Sequence, residues 1–201
     1  MKILISNDDG IFPPGIKALV SAFAKAGYEV YVAAPDSQRS AASHSMTLFR
    51  PLTAKETTFE GAVKAWAIDG TPVDCVKLAV ETLCPEVEAV LSGINHGYNA
   101  GSDVLYSGTV GAAMEGALSG KPALAVSLGY EREDTYDKAA ALAVEVFNKA
   151  KAQAMPAYSL LNLNYPENDE ALGLKATSLR ALRYLETYEP HVGEDGVVQY
   201  T

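Results

Sequence analysis

The chain has 201 residues, 48% of them hydrophobic and 20% charged, and carries a net charge of −9. That length fits one domain, or one domain with an appendage, and a chain of this size buries roughly 70% of the surface its unfolded form exposes. The balance of 25 Asp and Glu against 16 Lys and Arg argues against broad binding along a nucleic-acid polymer, which needs clustered cations. It leaves room for a small anion where a bound cation inverts the local field. No secretory leader is recognisable, and no apolar run reaches the ~20 residues that span a membrane. The expected setting is the cytoplasm, with no membrane partner. Cys75 and Cys84 are too few for a disulfide framework, and Cys75 reads as a small core residue.

Residues 2–6 form a short apolar run bounded by Asn7-Asp8-Asp9-Gly10 and read as a buried strand. Pro13-Pro14-Gly15 opens an apolar-periodic helix that runs to about Lys25 and stops before Gly27. Residues 29–34 are a second strand, so the first unit implies parallel strands and a right-handed crossover. Residues 37–44 are a polar loop, and 46–52 with 63–68 read as a pair of strands. Asp69-Gly70-Thr71-Pro72 turns into a helix over 73–83 with Thr71 as N-cap. Residues 87–91 are a strand, followed by a long Gly/Asn segment over 92–106. A helix of small residues is expected at 108–118, a strand at 123–128, a long helix at 134–153 capped by Asp134, and a last strand at 158–164. This alternation predicts an α/β fold, a doubly wound, mostly parallel sheet flanked by helices.

In such sheets ligands bind beyond the carboxyl ends of the strands, which selects three segments. The first is Asn7-Asp8-Asp9-Gly10. Adjacent carboxylates repel each other unless water, a cation or N–H groups compensate them. A solvated turn explains the pair; so does a site for a hard cation, Mg²⁺ or Mn²⁺. The second is the hydroxyl-rich loop around Arg39, Ser40 and His44, whose plain reading is a mobile polar loop. The third holds Gly93, Gly97 and Gly101 at every fourth position, with Asn95 and Asn99 between them. Glycine permits close backbone approach to a ligand, and Asn offers a neutral oxygen. Downstream, Ser107-Gly108-Thr109 stands at the start of the small-residue helix. Free N–H groups, the positive dipole end and two hydroxyls make that start a phosphate site.

These residues form a longer pattern. It runs through Asn7-Asp8-Asp9-Gly10-Ile11, Ala34-Pro35-Asp36 with Arg39-Ser40 and His44-Ser45, and Gly70-Thr71-Pro72 with Asp74-Cys75-Val76. It continues in Ser92-Gly93-Ile94-Asn95 with Gly97, Asn99 and Gly101, and in Tyr106-Ser107-Gly108-Thr109-Val110 with Glu115-Gly116. From Met1 to about Pro166 the chain resembles the SurE family of survival-protein nucleotidases. The resemblance implies a Rossmann-like domain over 1–166, with a less regular C-terminal extension over 167–201. It implies hydrolysis of nucleoside 5′- and 3′-monophosphates, with short polyphosphate as a further substrate. It also implies one divalent metal ion per subunit at Asp8, Asp9, Ser40 and Asn95. Family members are homodimers or homotetramers whose chains usually continue further and pack that extension on a partner. Residues 167–201 are therefore expected to be an incomplete extension that makes subunit contacts.

A consistent mechanism places phosphate against Ser107, Gly108, Thr109 and the helix start, with Asn7 and Asn99 orienting the phosphate or a carboxylate. Asp8 or Asp9 acts as general acid or base. Two other enzyme and signalling classes fit poorly. A phospho-receiver domain needs a further Asp ending a central strand, and a dinucleotide-binding oxidoreductase needs a glycine fingerprint after the first strand. A non-catalytic sensor of metal or nucleotide is separated only by an activity assay.

Overall fold

Four of the five residues of strand β1 (Lys2–Ser6) are buried, as an apolar run at the centre of a sheet requires. In the computed structural model, which describes residues 1–129, 135–166, 172–181, 187–193 and 195–200, β1 leads through a turn into helix α1 (Pro14–Lys25). Ile16, Leu19, Val20 and Phe23 are buried on α1, the i, i+3, i+4, i+7 spacing of a single face. Strand β2 (Glu29–Pro35) returns parallel to β1, with Ile3 beside Val30 and Ile5 beside Val32.

The next pair differs from expectation. Strand β4 (Lys64–Ile68) is present, but its antiparallel partner is β3 (Ala54–Thr57), not 46–52. Side-chain bonding takes the earlier segment out of the sheet. Thr47 donates its N–H to Asp74 Oδ1 at 3.0 Å and its hydroxyl to Oδ2 at 2.6 Å, and Arg50 pairs with Asp69. The segment therefore bends around the start of helix α2 (Pro72–Leu78). There Thr71 and Asp74 form a reciprocal capping box, and α2 continues as a π-helical turn at Ala79–Leu83. Burial opposes the charge on Asp74, but the bonds from Thr47 and Thr71 hold its carboxyl below the usual range.

Strand β5 (Ala89–His96) runs five residues beyond the expected end at Leu91, into the Gly/Asn segment. A register shift against strand β6 (Ala123–Leu128) between Ser92 and Asn95 lets pairing resume at Asn95–Ser127. A 3₁₀ turn at Gly101–Leu105 then feeds helix α3 (Gly108–Leu118). Helix α4 (Tyr136–Ala152) has Thr135 at its N-cap position, and the expected cap Asp134 lies outside the described residues. Strand β7 (Leu160–Tyr165) closes the sheet, and β8 (Pro190–Val192) pairs with β9 (Val198–Tyr200) in a separate hairpin.

The sheet order is β3-β4-β2-β1-β5-β6-β7, parallel except for β3. The fold is thus a mostly parallel, doubly wound sheet. Helices α1 and α4 cover one face, where Phe23 and Phe147 meet at 5.8 Å between ring centres. Helices α2 and α3 cover the other, around Leu4, Cys75, Val90 and Ala112. Cys75 and Cys84 are both free and buried. Because β2 and β5 flank β1 on opposite sides, the winding reverses between β1 and β5. A crevice opens beyond the carboxyl ends of strands at such a reversal.

Candidate active site

The turn after β1 is built on Asn7, whose fully buried side chain donates to the Gly10 carbonyl at 2.7 Å. That bond closes the turn and delivers Asp8 and Asp9 to the crevice. Asp8 is almost wholly buried, and its Oδ1 accepts the Thr109 hydroxyl proton. Burial pushes its carboxyl up from the ordinary range, while the Thr109 hydroxyl and the N–H groups of Thr109 and Gly108 pull the other way. Asp8 therefore already lies on the positive end of α3. Asp9 is half-buried. Burial and the charge of Asp8 push its carboxyl up to about 6, against an N–H bond from His96.

Gly108 lets this packing happen. A Cβ there would lie 2.8 Å from Asp8 Cβ, closer than real Cβ atoms approach, and a tight 3.0 Å from its Oδ2. The loop after β2 is tied to the same turn, because the Arg39 N–H donates to the Asp8 carbonyl at 2.7 Å. This brings Ser40, which accepts a bond from Gln38 at 2.9 Å, to the crevice. At the end of β5, the Asn95 amide nitrogen donates to the Gly97 carbonyl at 2.9 Å, so its Oδ1 is the side-chain atom left for a ligand.

One cleft of about 480 Å³ is lined by Asp8, Asp9, Ser40, Asn95, Asn99 and Ser107. Three other residues proposed from the sequence lie beneath it. Asn7 and Thr109 are fully buried, and Gly108 is the floor against Asp8. The Thr109 hydroxyl holds Asp8 and the Asn7 amide nitrogen holds its turn, while the buried Asn7 Oδ1 accepts no hydrogen bond among the described residues. Ser107 caps α3, accepting the Val110 N–H at 3.2 Å. Asn99 is anchored by three residues that sequence reasoning did not single out. Its amide donates to Ser127 Oγ at 2.8 Å, its N–H donates to Asn164 Oδ1, and its carbonyl accepts from Asn162 and Asn164. The signal for the last two is Asn at alternate positions in an otherwise apolar strand, which places both on one face. His96, Tyr98, Asp103 and Tyr106 also line the cleft. A larger cleft of about 780 Å³ between α1 and residues 58–61 shares none of these residues.

Among the described residues no group of three or more His, Cys, Asp and Glu side chains is placed to hold a metal ion. The cleft instead combines two carboxylates with hydroxyl and amide oxygens. That donor set suits a hard cation such as Mg²⁺ or Mn²⁺ and not zinc. The pair of carboxylates, each raised by burial, carries charge that such a cation offsets.

The two hydroxyls at α3 have distinct expected effects. Ser107→Ala removes a group that faces the cleft, and it should weaken inhibition by inorganic phosphate by about 1.5–3 kcal/mol if it bonds the anion. Thr109→Ala should act through Asp8, lowering affinity for Mn²⁺ more than for phosphate. Phosphate inhibition by Ser107→Ala equal to that of wild type would remove the start of α3 from the phosphate site.

β5 ends in Asn95-His96, without the acceptor Asp that a phospho-receiver domain requires at such a strand end. The family model described as Survival protein SurE matches residues 3–186. A 5′-nucleotidase SurE of Synechococcus sp. (strain CC9311) is 49% identical, over 100% of this chain and 77% of the relative. That of Desulforudis audaxviator (strain MP104C) is 45% identical, over 100% of this chain and 79% of the relative. The crystal structure of the SurE protein from Aquifex aeolicus superposes with a TM-score of 0.85 at 35% identity, covering 100% of this chain and 81% of that one. With the sequence pattern, the sheet order and these relatives in agreement, the chain belongs to the SurE family of survival proteins.

Proposed function

We propose that this protein is a divalent-metal-dependent phosphatase that hydrolyses nucleoside 5′-monophosphates, and 3′-monophosphates, to nucleoside and phosphate. The observation that carries the reading is the meeting of Asp8, Asp9, Ser40 and Asn95 with Asn99 and Ser107 in one cleft at the switch point of the sheet. Relatives named 5′-nucleotidase support the substrate class.

In this reading Asp8, Asp9, Ser40 and Asn95 hold one Mg²⁺ or Mn²⁺ ion per subunit. A cation held there would neutralise phosphate charge and lower the pKa of a water poised to attack. The Ser107 hydroxyl meets a phosphate oxygen, while the N–H groups of Gly108 and Thr109 at the start of α3 hold Asp8 in place behind it. Asn99, fixed from behind by Ser127, Asn162 and Asn164, orients the phosphate without having to be ordered by it. The rings of Tyr98 and Tyr106 offer the same cleft aromatic surface for a base. Asp8 or Asp9 serves as general acid or base, and short polyphosphate belongs to the same substrate proposal.

A homodimer or homotetramer is part of this proposal. It is supported by apolar side chains that the C-terminal part exposes, among them Leu172, Leu179, Tyr188 and Val192. A cytoplasmic setting is proposed too, and among the described residues no helix is long and apolar enough to cross a membrane.

A phosphate-release screen over nucleoside monophosphates, with and without EDTA, tests the reading. Release is expected to vanish on chelation and to return with Mn²⁺ or Mg²⁺. Full activity after exhaustive chelation sinks the metal dependence, and no release from any nucleoside monophosphate sinks the substrate class.

A further inference from the structure

Glu115 is a buried carboxylate that the proposed chemistry does not use. It projects from α3 with its side chain 8% exposed. Lys77 Nζ lies 3.5 Å from its Oε1, and His44 Nε2 lies 3.1 Å from its Oε2. Lys77 is nearer to Glu81, at 2.7 Å, so His44 is the closer partner of Glu115. The His44 contact is close without being a well-aligned hydrogen bond. His44 belongs to the loop that carries Ser40.

That loop is held at a second point. The Ser43 N–H donates to the Tyr106 carbonyl at 3.0 Å, and its hydroxyl donates to the Leu105 carbonyl at 2.6 Å. The Ser43 carbonyl rests on α3 at Gly111, where a Cβ would come within 2.5 Å of it. Ala41 and Ser43 have φ of 54° and 55°, in the left-handed region that residues with a side chain rarely occupy. Such conformations persist only where the surroundings over-determine them. The contacts to Glu115, Gly111, Leu105 and Tyr106 are those surroundings.

We propose that His44 and Glu115 form a positioning pair. The pair fixes the loop so that Ser40 stays in the cleft with Asp8, Asp9 and Asn95. Through Ser43 it also keeps the Leu105–Tyr106 wall in place. One buried carboxylate on α3 thus holds both sides of the cleft, while the start of the same helix holds Asp8. The consequence for metal and substrate rests on the phosphatase reading; the mechanical role does not.

The test uses His44, whose side chain is 31% exposed and can be shortened without opening a core cavity. His44→Ala removes the contact, and His44→Gln keeps a donor at similar reach. Hydrogen–deuterium exchange should quicken over residues 37–45 and 103–107 in His44→Ala, and fall back toward wild type in His44→Gln. Melting temperature should change little in either. Mn²⁺ affinity, measured by calorimetry without substrate, should fall about tenfold in His44→Ala, as for other groups that orient a ligand. His44→Gln should recover most of it. Unchanged exchange in His44→Ala overturns the proposal, and so does a His44→Gln variant as loose as His44→Ala. Wild-type protein that takes up no Mn²⁺ overturns the metal reading, and the exchange comparison still decides the positioning role.

Discussion

Asp9→Asn is expected to lose phosphate release by orders of magnitude while its metal-free form melts at or above the wild-type temperature. The loss follows because a formal negative charge leaves the proposed cation site. The stability follows from electrostatics in the metal-free protein. Asp9 is half-buried beside Asp8, and its carboxyl is raised from 3.8 to about 6. A raised carboxyl means that the folded state binds the proton more tightly than the unfolded state. Its contribution is therefore fully present below about pH 4 and is lost as pH rises through about 6. Above that window the ionised pair opposes folding, and Asn removes the opposition. Metal-free wild type should thus lose melting temperature between pH 4 and 7, and Asp9→Asn should show a flatter profile.

Asp8→Asn is expected to be equally inactive but less stable than Asp9→Asn. An amide nitrogen would replace an oxygen that faces the N–H groups of Gly108 and Thr109. The measurement is metal-free melting against pH, with phosphate release at saturating Mn²⁺. Near-normal turnover in both variants would return the acidic pair to a solvated turn.

How far the sequence reveals this architecture varies by element. β1, α3 and β6 are short runs bounded by Gly, Pro or polar clusters, and their bounds are legible. β3 is not. Its sequence Ala-Lys-Glu-Thr has little strand character, and it is an edge strand placed by its pairing to β4. The apolar residues that suggested a strand upstream, Met46, Leu48 and Phe49, are exposed, and Phe49 wholly so. β5 hides its last residues behind Gly93 and Asn95, because only the neighbouring strand β6 reveals that they pair.

The candidate site divides in the same way. Asp8, Asp9, Asn95, Asn99 and Ser107 stand out as candidates because their chemistry is conspicuous at strand ends and at a helix start, whereas Ser40 is marked only by the family resemblance. Ser127, Asn162 and Asn164 do not stand out, since a polar residue in an apolar strand gains meaning only opposite a partner. Thr109 reads in the sequence as a phosphate donor. The fold shows its hydroxyl on Asp8, a contact 101 positions away in the chain that no local pattern announces.

The close approach of α3 to Asp8 leads to the remaining large effect, at Gly108. Alanine is the better helix former by up to about 1 kcal/mol, so propensity alone predicts that Gly108→Ala is harmless or stabilising. Packing predicts the opposite. The new methyl would sit 2.8 Å from Asp8 Cβ, 3.0 Å from its Oδ2 and 3.1 Å from Pro72 Cγ. None of these is the free end of a long side chain. Asp8 is fixed by the β1 turn and by Thr109, and Pro72 is the first residue of α2. Either α3 shifts outward or Asp8 is pushed into the cleft. Overpacking of this kind typically costs about 1–3 kcal/mol of stability. A displacement of even about 1 Å at a reacting centre can cost about 10²-fold in rate. Gly108→Ala is therefore expected to keep the fold, melt several degrees lower and lose about two orders of magnitude in turnover, with Mn²⁺ affinity reduced alongside. Turnover and metal affinity equal to wild type in a folded Gly108→Ala would show that Asp8 tolerates displacement, and that the contact with α3 sets packing but not the site.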